Sequence, residues 1–104
     1  MLITFSKYQG TGNDFIIIDN REQKLALTTT QIIKLCDRKF GVGADGLILL
    51  ENENGCHFRM VYFNADGNES SMCGNGGRCI TALARKLNLF EKTACFMAID
   101  GLHQ

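Results

Sequence analysis

Apolar positions along this chain recur with two different periods, and the period changes wherever glycine or a polar cluster intervenes. Phe15-Ile16-Ile17-Ile18 and Leu47-Ile48-Leu49-Leu50 are short unbroken apolar runs, which predict strands buried on both faces. Met1 to Phe5 is a shorter apolar segment that can also form a strand. From Cys56 to Phe63 the pattern alternates, with Phe58, Met60 and Tyr62 on one side and His57, Arg59, Val61 and Phe63 on the other. That is a strand with one face partly wet, and it leaves His57 exposed. Ala94 to Ile99 predicts a last strand, and Asp100-Gly101 after it signals a tight hairpin turn. Only three residues follow the turn, so the returning strand is expected to be missing, the strand edge unpaired and the chain cut short.

Two segments carry the helical period instead. Ile32, Leu35 and Cys36 stand at i, i+3 and i+4 behind Thr28-Thr29-Thr30, which predicts a capped helix from Gln31 to Lys39, with Cys36 in the core and Gly41 and Gly43 ending it. Ile80, Leu83, Ala84 and Leu87 line one face of a second helix from Asn75 onward, with Arg85 and Lys86 near its end. Polar turns fill the intervals at Ala44 to Gly46, Asn52 to Gly55 and Asn64 to Asn68. Gln9 to Asp14 is a glycine loop between two strands, suited to a hairpin or to a ligand. Its Gly10-Thr11-Gly12 has no third glycine and leads into a strand, so a Rossmann fingerprint is excluded.

The second helix begins at Cys73-Gly74-Asn75-Gly76-Gly77-Arg78-Cys79. A helix N-terminus leaves amide N–H groups unpaired and favours an anion, so a cysteine there can ionise near neutral pH and act as a base. The glycines beside Cys73 keep side chains away from those amides. A plainer alternative makes Cys73 a small buried residue after a turn. Asn13 and Asn64 each lie in a loop at a strand end, where an amide can serve a polar ligand or merely tolerate left-handed backbone.

Composition narrows the partners. The 104 residues are 45% hydrophobic, enough for one compact domain, and Lys plus Arg equals Asp plus Glu at 11 each. No basic surplus draws the chain to nucleic acid or to an anionic membrane, and no apolar run is long enough to span one. Without a signal-type N-terminus the protein is expected to be cytoplasmic. Five cysteines with no CxxC pair disfavour both a disulfide framework and a zinc site, and are read as reduced thiols. The glycosylation sequon Asn68-Glu69-Ser70 is then a chance match.

Taken together, Gly10-Thr11-Gly12-Asn13-Asp14-Phe15, Gly41-Val42-Gly43-Ala44-Asp45-Gly46, Phe63-Asn64-Ala65-Asp66-Gly67 and Cys73 to Cys79 resemble the N-terminal half of diaminopimelate epimerase. The resemblance implies an α+β fold in which a mixed sheet or barrel wraps around a central helix, incomplete here. It makes residues 1–104 the N-terminal domain of a two-domain enzyme whose C-terminal domain is absent. It also implies cofactor-independent interconversion of LL- and meso-2,6-diaminopimelate, in lysine and peptidoglycan precursor synthesis, with no metal. By position Cys73 would be one of two catalytic cysteines, and Asn13, Asn64, Gly74 and Asn75 would contact substrate. Some members carry a glutamine contact where this chain has Gly46.

Inversion at carbon needs a second acid on the opposite face. Cys79, expected in the core, cannot supply it, so these residues alone are expected to be inactive. Two other readings stay open: a same-fold racemase or isomerase of the proline racemase or phenazine isomerase kind, and a non-catalytic piece that binds another chain by its strand edge. Two copies could also pair as a homodimer with their Cys73 side chains face to face.

Overall fold

The structure, a computed structural model, describes residues 5–9, 12–22, 26–70, 74–89, 95–98 and 101–103, with 74–76 and 103 described by backbone alone. The apolar runs form the middle of one mixed sheet. Asp14–Asp19 (β2) and Gly46–Glu51 (β3) run parallel, with Ile16 opposite Leu47 and Ile17 opposite Ile48. Ser6–Gln9 (β1) pairs antiparallel with β2, and Phe58–Asn64 (β4) pairs antiparallel with β3. One edge of β4 is shared by Glu69–Ser70 (β5), antiparallel near its end, and Phe96–Ala98 (β6), parallel near its start.

The helices cover opposite faces of this sheet. Thr29–Cys36 (α1) packs Ile32 and Cys36 against Ile16, Ile18, Leu47 and Leu49. Gly74–Lys86 (α2) packs Cys79, Ile80, Leu83 and Ala84 against the alternate residues Phe15, Ile17, Ile48, Leu50, Phe58, Met60 and Tyr62. Strand side chains point alternately to the two faces, which is why both apolar runs had to be continuous. Tyr8 from β1 and Phe96 and Ala98 from β6 join the α2 face, so the sheet bends around that helix. Among the described residues it is open, with β1 and Gly101–His103 (β7) at its ends. Rings fix the packing at two points: Phe58 stacks on Phe96 with centroids 4.9 Å apart, and Phe15 meets Tyr62 edge-on at 6.0 Å.

Local chemistry sets the helix ends. Thr28 caps α1, accepting from the Gln31 N–H while the Gln31 side chain accepts from the Thr28 N–H, a reciprocal capping box. The helix stops at Cys36, three residues before Lys39. Asp37 turns extended there, and its carboxylate accepts from the N–H groups of Lys39 and Phe40. Gly43 and Ala44 then donate to the carbonyls of Leu35 and Cys36, so the glycine-rich segment does close the helix. At the end of α2, Asn88 adopts φ 62°, and the N–H groups of Asn88 and Leu89 donate to the carbonyls of Arg85 and Ala84. This is a Schellman cap, with Leu89 packed back on the core.

Two strand expectations change. The first strand is Ser6–Gln9, not Met1 to Phe5: residues 1–4 lie outside the described residues, and Phe5 precedes the strand and is exposed. Its register with β2, Ser6 opposite Ile17 through Gln9 opposite Asp14, holds it where its own sequence is largely polar. The returning strand after the last turn is present. Gly101, Leu102 and His103 pair with Ala98, Met97 and Phe96, and Gly101 takes φ 118°, while residues 99 and 100, where the turn is expected, lie outside the described residues.

Candidate active site

Three adjacent strands align their ends at one end of the sheet. Gly46, the first residue of β3, lies between Phe15 of β2 and Asn64, the last residue of β4. Asn13, two residues before Phe15, stands in the loop at that same end. Both asparagines are half-buried, and neither has positive φ; among the described residues only Asn88 does so without being glycine. Left-handed backbone is therefore not what places Asn13 and Asn64 there.

A charged cluster fixes the Asn13 loop. Asp14 accepts from both terminal nitrogens of Arg38, at 3.0 and 2.7 Å, and pairs with Lys7 at 3.2 Å. Asp45 completes it: one carboxylate oxygen accepts from Arg38 at 3.2 Å, and the other accepts from the Asp14 N–H at 3.0 Å and the Asn13 side-chain amide at 3.3 Å. The Asp45 N–H returns a bond to the Asp14 carbonyl at 2.9 Å. Arg38, opposed by some desolvation and helped by Lys7, holds the Asp14 carboxyl well below the usual carboxylate range. Arg38 in turn is held charged by Asp14. Burial pushes the Cys36 thiol up, so that cysteine is an inert core residue, as its spacing predicts.

Asn64 is set by its hairpin. Its N–H donates to the Asn68 carbonyl at 3.0 Å, and its own carbonyl accepts from Gly67 at 2.9 Å. Gly67 has φ 86°, and a Cβ there would stand 2.4 Å from Thr29 Cγ2, so the turn is pressed onto the start of α1. Gly46 is bare for a steric reason. A Cβ would sit 2.9 Å from the Phe63 carbonyl and 3.0 Å from the Tyr62 hydroxyl, which lies over it.

The chain leaves β5 at Ser70, paired with Tyr62, and α2 starts four residues later at Gly74. Gly74 and Asn75 thus open α2, one residue earlier than its spacing suggested. Cys73 lies outside the described residues. Cys79 is 4% exposed among Ile80, Leu83 and Ala84 and belongs to the core, as expected. His57 is exposed, and its Nδ1 accepts from the Cys95 N–H at 2.8 Å. Among the described residues no three His, Cys, Asp or Glu side chains gather to hold a metal, and no helix is long and apolar enough to cross a membrane. A recess of about 350 Å³ lined by Asp19, Arg21, Glu22 and Asn52 opens at the opposite end of β2 from Asn13.

The role of Arg38 escaped sequence reasoning. The two aspartates in glycine motifs, Asp14 and Asp45, signal a shared cation, but nothing in the spacing points to a partner 24 residues from Asp14.

Residues 5–101 match the sequence profile that describes diaminopimelate epimerase. The chain belongs to that family. A diaminopimelate epimerase from Flavobacterium psychrophilum is 64% identical over 98 residues, covering 93% of this chain and 38% of its own length. That of Nostoc punctiforme is 55% identical over 89 residues, 84% of this chain and 32% of its own. The chloroplastic diaminopimelate epimerase of Oryza sativa is 48% identical, over 93% of this chain and 28% of its own. The chain therefore spans about a third of the length of these epimerases.

Solved structures confirm the fold at much lower identity. Methylitaconate-delta-isomerase superposes with a TM-score of 0.72 at 11% identity, covering 98% of this chain and 57% of its own. A phenazine biosynthesis protein of the PhzF family from Bacillus anthracis gives 0.63 at 20%, covering 96% and 33%. The epimerase-family match and the α+β fold shared with these structures thus coincide over nearly the whole chain.

Proposed function

We propose that the chain is the N-terminal domain of a diaminopimelate epimerase and supplies one face of its active site. The observation that supports this reading is the placement of Asn13 and Asn64 at one end of the sheet, on either side of the strand that opens with the bare Gly46, where the aspartate and arginine cluster holds Asn13. The substrate is a small zwitterion with two amino acid ends, which suits a site of amides and balanced charge. Asn13, Asn64 and the first-turn amides of Gly74 and Asn75 are its contacts, and Cys73 is the proton-transferring group. The setting is cytoplasmic.

In this mechanism Cys73 works as a thiolate, favoured by the helix N-terminus that follows it in sequence. It takes the proton from the α-carbon, forming an S–H bond as the C–H electron pair moves toward the adjacent carboxylate. Fixed N–H donors offset that growing charge, and losing one such donor costs about 2.7 to 4 kcal/mol of barrier. A second acid from a complementary domain delivers a proton to the opposite face, and the configuration inverts. No bound cofactor enters these steps.

Deuterium uptake at the α-carbon of diaminopimelate in heavy water tests the proposal. The chain alone is expected to give none. Joined to the C-terminal domain of a 64% identical relative it is expected to give robust exchange, abolished by Cys73→Ala. Robust exchange by the chain alone, or by the joined protein carrying Cys73→Ala, would refute it.

A further inference from the structure

Two thiols far from Cys73 in sequence meet where β6 enters the sheet. Cys95 Sγ lies 3.7 Å from Cys56 Sγ, and both residues are half-buried, whereas Cys36 and Cys79 are each 4% exposed. The backbone locks the approach. His57 N–H donates to the Cys95 carbonyl at 2.7 Å, the Cys95 N–H donates to His57 Nδ1 at 2.8 Å, and Phe58 stacks on Phe96 one residue further on. Cys95 thus sits opposite His57, offset by one residue from Cys56. Both cysteines stand just before the paired strands, and their sulfurs have to approach from 3.7 Å to the roughly 2.05 Å of a disulfide.

We propose that Cys56 and Cys95 are a redox-responsive modification site, closing to an intrachain disulfide on exchange with a low-molecular-weight disulfide. One cysteine thiolate attacks a sulfur of the small disulfide, forming a mixed disulfide as the old S–S bond breaks and the first small thiol leaves. The other cysteine then attacks the protein-bound sulfur and expels the second small thiol. The two protein hydrogens end on the two released thiols, the pair is oxidised and the reagent is reduced.

The resting state is the dithiol. Burial, the contact with Cys95 and the charge of Glu53 push the Cys56 thiol up, so exchange quickens as pH rises. The closed loop runs from the start of β4 to the start of β6 and encloses β5, α2 and Cys73 in the chain. The bond therefore clips together both ends of the segment that carries the proposed catalytic thiol, and it requires no assumption about that thiol's role.

Incubation of the chain with oxidised glutathione, alkylation, and mass and peptide analysis test this. Two hydrogens should be lost, the peptides bearing Cys56 and Cys95 should appear linked, three of the five cysteines should remain alkylatable after denaturation, and dithiothreitol should reverse it. The melting temperature of the oxidised chain should rise by at least about 5 °C. In Cys56→Ser, Cys95 should hold a stable glutathione adduct instead. Overturning results are persistent adducts on Cys56 or Cys95 of the unaltered chain, linkage of either to Cys73, or both thiols still alkylatable after exposure.

Discussion

Arg38 grips Asp14 with both terminal nitrogens, and through Asp45 the same guanidinium steadies the side-chain amide of Asn13. The segment after α1 is thereby joined to the loop before β2.

Acid should remove the stability that this joint contributes. Folding lowers the pKa of Asp14 from its ordinary 3.8, so its stabilisation is complete above that value and is lost as pH falls through the lower folded one. Asp19, held down by Arg21, adds in the same sense. Urea unfolding from pH 5 to pH 2 should show stability declining below about pH 4. Asp14→Asn should be less stable at pH 6 and show a shallower decline, and an unchanged slope would contradict the assignment.

Lysine should not replace Arg38. It keeps the charge but not the planar fork that serves two carboxylates at once. In Arg38→Lys the Asn13 side-chain amide signals should shift or broaden in an NMR spectrum, while signals from β6 stay in place. Uniform shifts across the sheet would instead mean general destabilisation.

Gly46→Ala should cost about 1–3 kcal/mol, because its methyl group meets the Phe63 carbonyl and the Tyr62 hydroxyl. Adding Tyr62→Phe removes one of these two obstacles, so the double variant should recover part of the loss. A strictly additive thermodynamic cycle would show that the hydroxyl is not the obstruction.

Asn88 offers a sharper comparison of backbone and side chain. Asn88→Gly should hold or raise the melting temperature, since glycine is the residue most at ease at φ 62°. Asn88→Ala should lose about 1 kcal/mol or more for want of that freedom. Equal effects of the two would mean that the asparagine side chain, not its φ, matters.

Periodicity made the two buried strands, both helix faces and the core positions of Cys36 and Cys79 legible in advance, because each depends on side-chain spacing within one element. Burial of Phe15 to Ile18 on both faces follows from helices on both sides of the sheet. The strand at Ser6–Gln9 was not legible, since pairing with β2 and not apolar content holds it. Nor was β7, where three residues are too few for a pattern yet enough for three register pairs. At the site, Asn13 and Asn64 were visible as loop amides, whereas Arg38 and the contact between Cys56 and Cys95 arise from pairs distant in sequence.

The eight residues of α1 work as a spacer. One end is pressed by Gly67 of the Asn64 hairpin against Thr29, and just past the other end Arg38 holds the Asn13 loop. Each residue advances a helix by about 100° and 1.5 Å, so inserting a single alanine would swing one attachment away while leaving the other seated. The separation of the two asparagines is thus gauged by the length of a helix that contains neither of them.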